Sequence, residues 1–245
     1  MSDHLIARLE ALAGLGEGVD ACPYLPDRVA TFQFLDGAIA PLAYRQLLDH
    51  GYRRCGTLLY RPVCSACQAC EVLRVPVAQF TPSKSQRRAA RRGDALFTTV
   101  CAPAELTPEK LALYRRYLAY QHGEEDAETE ADAYQAFLVD SCLGEQTFEV
   151  QLRDGDRLAG VGIVDRLPDA LSSVYFYFDP DYARLSPGTY SVLIEIRLAR
   201  EWGLAWYYPG YYIEDCPAMN YKAAFRPCAR KTCDAAAWQR LPARR

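Results

Sequence analysis

The stretch Val174-Tyr-Phe-Tyr-Phe178 is apolar on both of its faces. A strand built this way must point its side chains into packed layers above and below, so it belongs in the middle of a covered sheet. The flanking segments agree. Phe148, Val150 and Leu152 alternate with Glu149, Gln151 and Arg153, the period of a half-buried strand. Asp154-Gly155 supplies a hairpin turn, and residues 157–166 supply the return strand. Downstream, Ser186-Pro187 opens a helix that carries Tyr190, Leu193, Ile194 and Leu198 on one side and closes at Gly203. Ala205-Trp-Tyr-Tyr208 reads as another strand.

Hairpin, central strand, helix, strand is the order found in the core of the acyl-CoA-dependent N-acetyltransferase fold. It predicts an α/β (α+β) protein, although other α/β folds share that order. The N-terminal half is less regular. Residues 1–21 look loose, with Gly14, Gly16 and Gly18 close together. A strand is expected at 29–34 and a short helix from Pro41 to Leu48. Residues 55–70 read as irregular. Residues 71–80 read as a strand that Pro76 pushes to a sheet edge or a bulge. A strand at 95–101 follows, then a helix capped by Thr107-Pro108 and another over 130–142.

Charge and cysteine content narrow the function classes. A net charge of -3 and a pI of about 5.7 exclude a generally basic nucleic-acid coat, so any nucleic-acid contact must come from a local patch. There is no run of eighteen uncharged apolar residues for a membrane span, and Met1-Ser-Asp-His-Leu-Ile6 does not read as a secretion leader. Ten cysteines without an export signal suggest reduced cytoplasmic thiols, used for a metal or simply buried.

Four constellations could carry chemistry. Cys64, Cys67 and Cys70, with Cys22 upstream as a fourth donor, have the spacing of a tetrahedral zinc or iron–sulfur site; a buried loop without an ion is the alternative. Lys84, Arg87, Arg88, Arg91 and Arg92 make five of nine consecutive residues cationic, fall on one side of a helix, and have no acidic residue among them. That favours a stripe for RNA phosphates over an ordinary solvated face. The stretch 207–225 gathers five tyrosines with Asn220 and Lys222, suited equally to aromatic packing and to base stacking or proton donation. The turn Arg184-Leu-Ser-Pro-Gly-Thr189 opens a helix whose free amides could hold an anion. It has one glycine where acetyltransferases carry a spaced pair for the CoA pyrophosphate. No Ser-His-Asp set, P-loop or dinucleotide glycine motif is present.

Taken together, these stretches resemble the aminoacyl-tRNA–protein transferase family from Cys22 to Phe225. The likeness is carried by Cys22-Pro-Tyr-Leu25, Gly51-Tyr-Arg-Arg54, Tyr60-Arg-Pro62 with the cysteine triple, and Leu73-Arg-Val-Pro-Val77. It continues in Phe80-x-Pro-Ser-Lys-Ser-Gln-Arg-Arg88, Ser172-Ser-Val-Tyr-Phe-Tyr-Phe-Asp-Pro180, Pro209-Gly-Tyr-Tyr-Ile213 and Met219-Asn-Tyr-Lys-Ala-Ala-Phe-Arg-Pro227. The short length, and the cysteine triple after Tyr-Arg-Pro, are similar to the bacterial aspartate/glutamate leucyltransferase branch. The eukaryotic arginyltransferases are longer and have adjacent cysteines there.

The resemblance implies two acetyltransferase-like (GNAT-like) units in tandem, with a cysteine-containing N-terminal region. The expected layout is a flexible 1–21, a transferase unit over 22–102, a helical connection over 103–145 and a GNAT-like unit over 146–240. It further implies a cytoplasmic enzyme with leucyl-tRNA as donor, proteins with N-terminal Asp or Glu as acceptors, and a degradation mark as product. No cofactor is required for that chemistry. A structural zinc or iron–sulfur cluster at Cys22, Cys64, Cys67 and Cys70 is weakened by Leu25, which stands where the eukaryotic branch has a second cysteine. Tyr211, Tyr221 and Lys222 are expected to orient groups and donate protons. Ser172, Tyr175, Tyr177 and Asp179 are expected to line the acyl and acceptor sites. Arg74, or an arginine of the basic run, is expected to grip the acceptor's carboxylate. Competing readings are an arginyl donor, an acetyl-CoA-dependent N-acetyltransferase, and a non-enzymatic zinc-bearing RNA-binding protein.

Overall fold

The computed structural model describes residues 16–123 and 129–243; the expectation of a loose segment over residues 1–15 lies outside them. Among the described residues, strands β1 (Gly16–Ala21), β2 (Val29–Leu35), β3 (Arg53–Cys55) and β4 (Leu58–Pro62) form an antiparallel sheet in the order β1-β2-β4-β3. Two expectations change here. Residues 16–21 are a strand, because β2 offers them a pairing edge. The irregular stretch 55–70 contains β4. Helix α1 (Pro41–Asp49) buries Tyr44, Leu47 and Leu48 and carries the chain from β2 to β3.

A larger sheet holds the rest. Its order is β13 (Gln239–Leu241), β12 (Cys228–Thr232), β5 (Glu71–Pro76), β10 (Trp206–Tyr208), β9 (Ala170–Phe178), β8 (Arg157–Arg166), β7 (Thr147–Asp154) and β6 (Thr98–Pro103), with β11 (Tyr211–Tyr212) also on β5. Strand β9 is central, as its two apolar faces require. Tyr177 packs on one side beneath helices α3 (Pro108–His122) and α4 (Ala131–Tyr134), while Leu171 and Phe176 join the core under α5 (Pro187–Glu201). Strand β5 is interior and not at an edge. Pro76 is its last residue, so the missing N–H falls where the ladder ends. The expected helix over 130–142 is shorter, with α4 giving way to a π turn at Gln135–Val139.

The basic run folds as helix α2 (Lys84–Asp94). Ser83 and Gln86 form a reciprocal capping box at its start. Gln86, Ala89 and Gly93 are its buried stripe, and all five cations are on the exposed side. Gly93 lets α2 lie directly on α5, since a methyl there would stand 2.4 Å from the Tyr190 ring. No helix of the described residues is long and apolar enough to cross a membrane.

Candidate active site

Strand β10 runs parallel to β9, with Trp206 to Tyr208 opposite Ala170 to Ser172. There the pairing stops. Strand β9 continues to Phe178, but the chain after Tyr208 turns through Pro209-Gly210 and re-pairs, as β11, with β5. The strands part because proline cannot donate to the ladder and Gly210 adopts φ +102.

The gap between them is a cavity of about 620 Å³. Tyr175, Phe176 and Phe178 of β9 line one wall, and the start of α5 from Ser186 to Thr189 lines its mouth. Tyr24, Tyr60, Tyr211 and Arg53 close the N-terminal side. Among the described lining residues there is no aspartate or glutamate. A narrower groove of about 170 Å³ continues from the mouth, bounded by Arg88 and Arg92 of α2 and sharing Ser186, Thr189 and Tyr221 with the cavity.

Two cations define its electrostatics. Lys222 enters from the loop after β11, with Nζ 2.9 Å from Met219 Sδ. Gly210 makes room for it, as a methyl at that position would sit 3.0 Å from Nζ. Removal from water, and then the positive charge of Arg53, push its pKa down to about 7. Arg53 is 5% exposed and lies over the rings of Tyr208 and Tyr211, with 5.7 and 5.5 Å from Cζ to the ring centroids. Its Nε, Nη1 and Nη2 have no hydrogen-bond partner. Its neighbour Arg54, which also lines the cavity, donates to Asp165 at 3.0 Å and to the carbonyls of Gly56 and Asp140.

Of the residues expected at the site, Tyr175, Tyr211, Tyr221 and Lys222 line the cavity. Tyr221 stands at the junction with the groove, and burial raises its pKa to about 12. The Tyr211 hydroxyl donates to the carbonyl of Gly51, so its proton is committed to the scaffold. Four expected residues do not line the cavity. The Ser172 side chain is buried in the sheet, and its neighbour Ser173 reaches the space instead. Tyr177 points to the other face and bonds Tyr134 at 2.6 Å. Asp179 is held by Arg116 and Arg157. Arg74 is sandwiched between Trp206 and Trp238, at 4.0 and 3.8 Å, and paired with Asp49. Arg53, Tyr24 and Tyr60 were not expected; Arg53 stands inside the quoted Gly51-to-Arg54 stretch, but only the strand's alternation separates it from Arg54.

The thiols of Cys22, Cys64, Cys67 and Cys70 line a separate pocket of about 260 Å³, together with Cys233. Burial, then the neighbouring thiols, raise the Cys70 pKa to about 12. Cys64 Sγ accepts from the Thr31 amide, Cys67 Sγ accepts from Arg28, and Cys233 donates to the Cys70 carbonyl. Among the described residues no three His, Cys, Asp or Glu side chains are placed to hold a metal ion. Cys64 and Cys67 are turned toward backbone and side-chain partners, so the four thiols are not arranged as the expected zinc or cluster would require.

Residues 20–88 match the family described as arginine-tRNA-protein transferase, N terminus, and residues 109–232 match its C terminus. An aspartate/glutamate leucyltransferase of Nitrosococcus oceani is 42% identical over 211 residues, covering 84% of this chain and 87% of that protein. One from Chromobacterium violaceum is 38% identical over 228 residues, covering 90% of each. Among solved structures, L-PGS from Bacillus licheniformis aligns at 11% identity with a TM-score of 0.47, over 86% of this chain and 76% of that one.

Proposed function

The chain belongs to the arginine-tRNA–protein transferase family, and we propose that it moves leucine from leucyl-tRNA to the α-amine of proteins that begin with Asp or Glu. The observation that carries the donor choice is the cavity without acids. A leucyl group asks for aromatic and aliphatic walls, which Val174, Phe176 and Phe178 offer. An arginyl group would need a carboxylate and would meet Arg53 and Lys222 instead. The exposed cations of α2 hold acceptor-stem phosphates, and the groove between Arg92 and Thr189 leads the 3′ end inward.

The chemistry is aminolysis of an ester. The neutral α-amine attacks the ester carbonyl carbon, the C–N bond forms, and the bond to the ribose oxygen breaks. The electron pair leaves with that oxygen, which gains a proton as the amine loses one. The ester is already activated, and the α-ammonium ordinarily titrates at about 7.7–8.0, so ATP, a covalent enzyme intermediate and a cofactor are all unnecessary. Lys222, neutral in part near pH 7, takes the amine's proton and returns it to the leaving oxygen. Tyr221 steadies the ribose at the junction. Tyr211 holds the cavity wall through Gly51. Placing two bound substrates side by side supplies much of the rate. The modified protein is marked for degradation, and the reaction belongs in the cytoplasm, where tRNA is charged.

The test is transfer from separately charged leucyl-, arginyl- and phenylalanyl-tRNA to peptides beginning with Asp, Glu, Lys or Ala. Leucine should pass to the Asp and Glu peptides. Equal or better transfer of arginine overturns the donor assignment, and activity with acetyl-CoA in place of tRNA overturns the reaction class.

A further inference from the structure

We propose that Arg53 is the residue that reads the acceptor's N-terminal side chain, by taking its carboxylate on the guanidinium inside the cavity. The inference rests on the transferase reading above and adds the recognition element to it. Three other buried cations have counter-charges: Arg54 has Asp165, Lys110 has Glu149, and Arg45 has Asp49 and Asp169. Arg53 is as buried as these, yet none of its three nitrogens has a partner and no acidic side chain lines the space beside it.

A desolvated, unpaired guanidinium lowers the stability of the ligand-free protein. Its retention is understandable if the missing partner arrives with the substrate. The planar fork suits a carboxylate through two parallel N–H···O bonds. The rings of Tyr208 and Tyr211 hold the fork in place from behind, so little side-chain freedom is lost on binding. Lys222 lies close enough for the charge of Arg53 to act on it, which sets the amine-handling group beside the carboxylate reader. In an N-terminal Asp or Glu the α-amine and side-chain carboxylate are a few bonds apart, as this juxtaposition requires. Arg74, the other arginine considered for this task, has its charge spent on Asp49 between two indoles.

The experiment compares wild type with Arg53→Met and Arg53→Lys, using leucyl-tRNA and two peptides that differ only in Asp or Asn at the first position. For Arg53→Met, kcat/KM toward the Asp peptide should fall about a hundredfold or more, mainly through acceptor KM. The leucyl-tRNA KM should be unaffected, the Asn peptide should lose far less than the Asp peptide because it shares only the effect that passes through Lys222, and Arg53→Lys should recover part of the loss. The thermal midpoint of Arg53→Met should equal or exceed that of wild type, because an unpaired buried charge is removed. A folded Arg53→Met that keeps its Asp-over-Asn preference, or one that loses affinity for leucyl-tRNA instead, overturns the assignment while leaving the transferase reading intact. A wild type that transfers no leucine to the Asp peptide sinks that reading instead. A second measurement needs neither folding of the variant nor transfer: aspartate amide should raise the thermal midpoint of wild type and asparagine amide should not. Equal shifts overturn the role of Arg53.

Discussion

Two adjacent arginines on one short strand show how a single residue's fate is decided by alternation. Arg54 finds Asp165, and Arg53, turned the other way along β3, meets a cavity wall that offers it no acid. The pair was visible in the sequence, but the partner of Arg54 lies 111 residues away, so nothing local told the two apart. Arg74 misled for the same reason, since its indole neighbours come from β10 and from just before β13. Lys222 was legible as an amine in an aromatic setting. What could not be read was its depressed pKa, which needs both the burial and the nearby Arg53. Both causes disfavour the protonated form, so the neutral fraction grows as pH rises through about 7. If Lys222 accepts the amine's proton, kcat/KM should climb between pH 6 and 8 in wild type. Lys222→Met should lose the limb near 7 and keep only the later rise from the acceptor amine, at about 8. A rate that falls over this range in wild type, or an unchanged profile in the variant, contradicts the assignment.

At the scale of elements, periodicity was a good guide wherever a segment packs on one neighbour. The hairpin β7–β8, strand β9, helix α5 and the cationic face of α2 are all present at nearly the expected positions. The cavity was not legible, because no single element makes it. It exists where β9 and the chain after Tyr208 stop pairing, and Tyr24, Arg53 and Tyr60 reach it from the other sheet. The groove along α2 has the same origin: Gly93 allows α2 to approach α5, and that contact sets Arg88 and Arg92 beside Ser186 and Thr189. Changing both arginines to glutamine should flatten the salt dependence. Each phosphate contact adds about 0.7–0.9 to the slope of log kcat/KM against log salt, so the double variant should lose about 1.4–1.8. Its KM for the acceptor peptide should stay as in wild type. An unchanged slope would place the tRNA elsewhere.

For the molecule as a whole, the question is what keeps the small sheet locked against the large one, since the cavity lies between them. Aromatic packing around Tyr44, Tyr52 and Tyr208 supplies much of it. The Arg54–Asp165 pair adds a polar clamp with both side chains fully buried, and Asp165 also accepts from Thr147 at 2.6 Å. Such a pair adds little over an apolar replacement, but removing one partner strands the other. Asp165→Asn should therefore cost about 3–5 kcal/mol in urea denaturation, with Arg54 left charged and unpaired. A loss under about 1 kcal/mol would mean that the pair does not join the sheets.

The placement of Arg53 inside the cavity has a consequence for which proteins the enzyme can touch. A guanidinium set inside a cavity walled by tyrosines is out of reach of any aspartate in mid-chain, because a backbone leaving in both directions is too thick to follow it in. Only a free tip of polypeptide is slender enough. On this geometry, internal acidic residues stay silent however numerous they are, and a protein becomes a target when trimming or cleavage exposes a new acidic beginning.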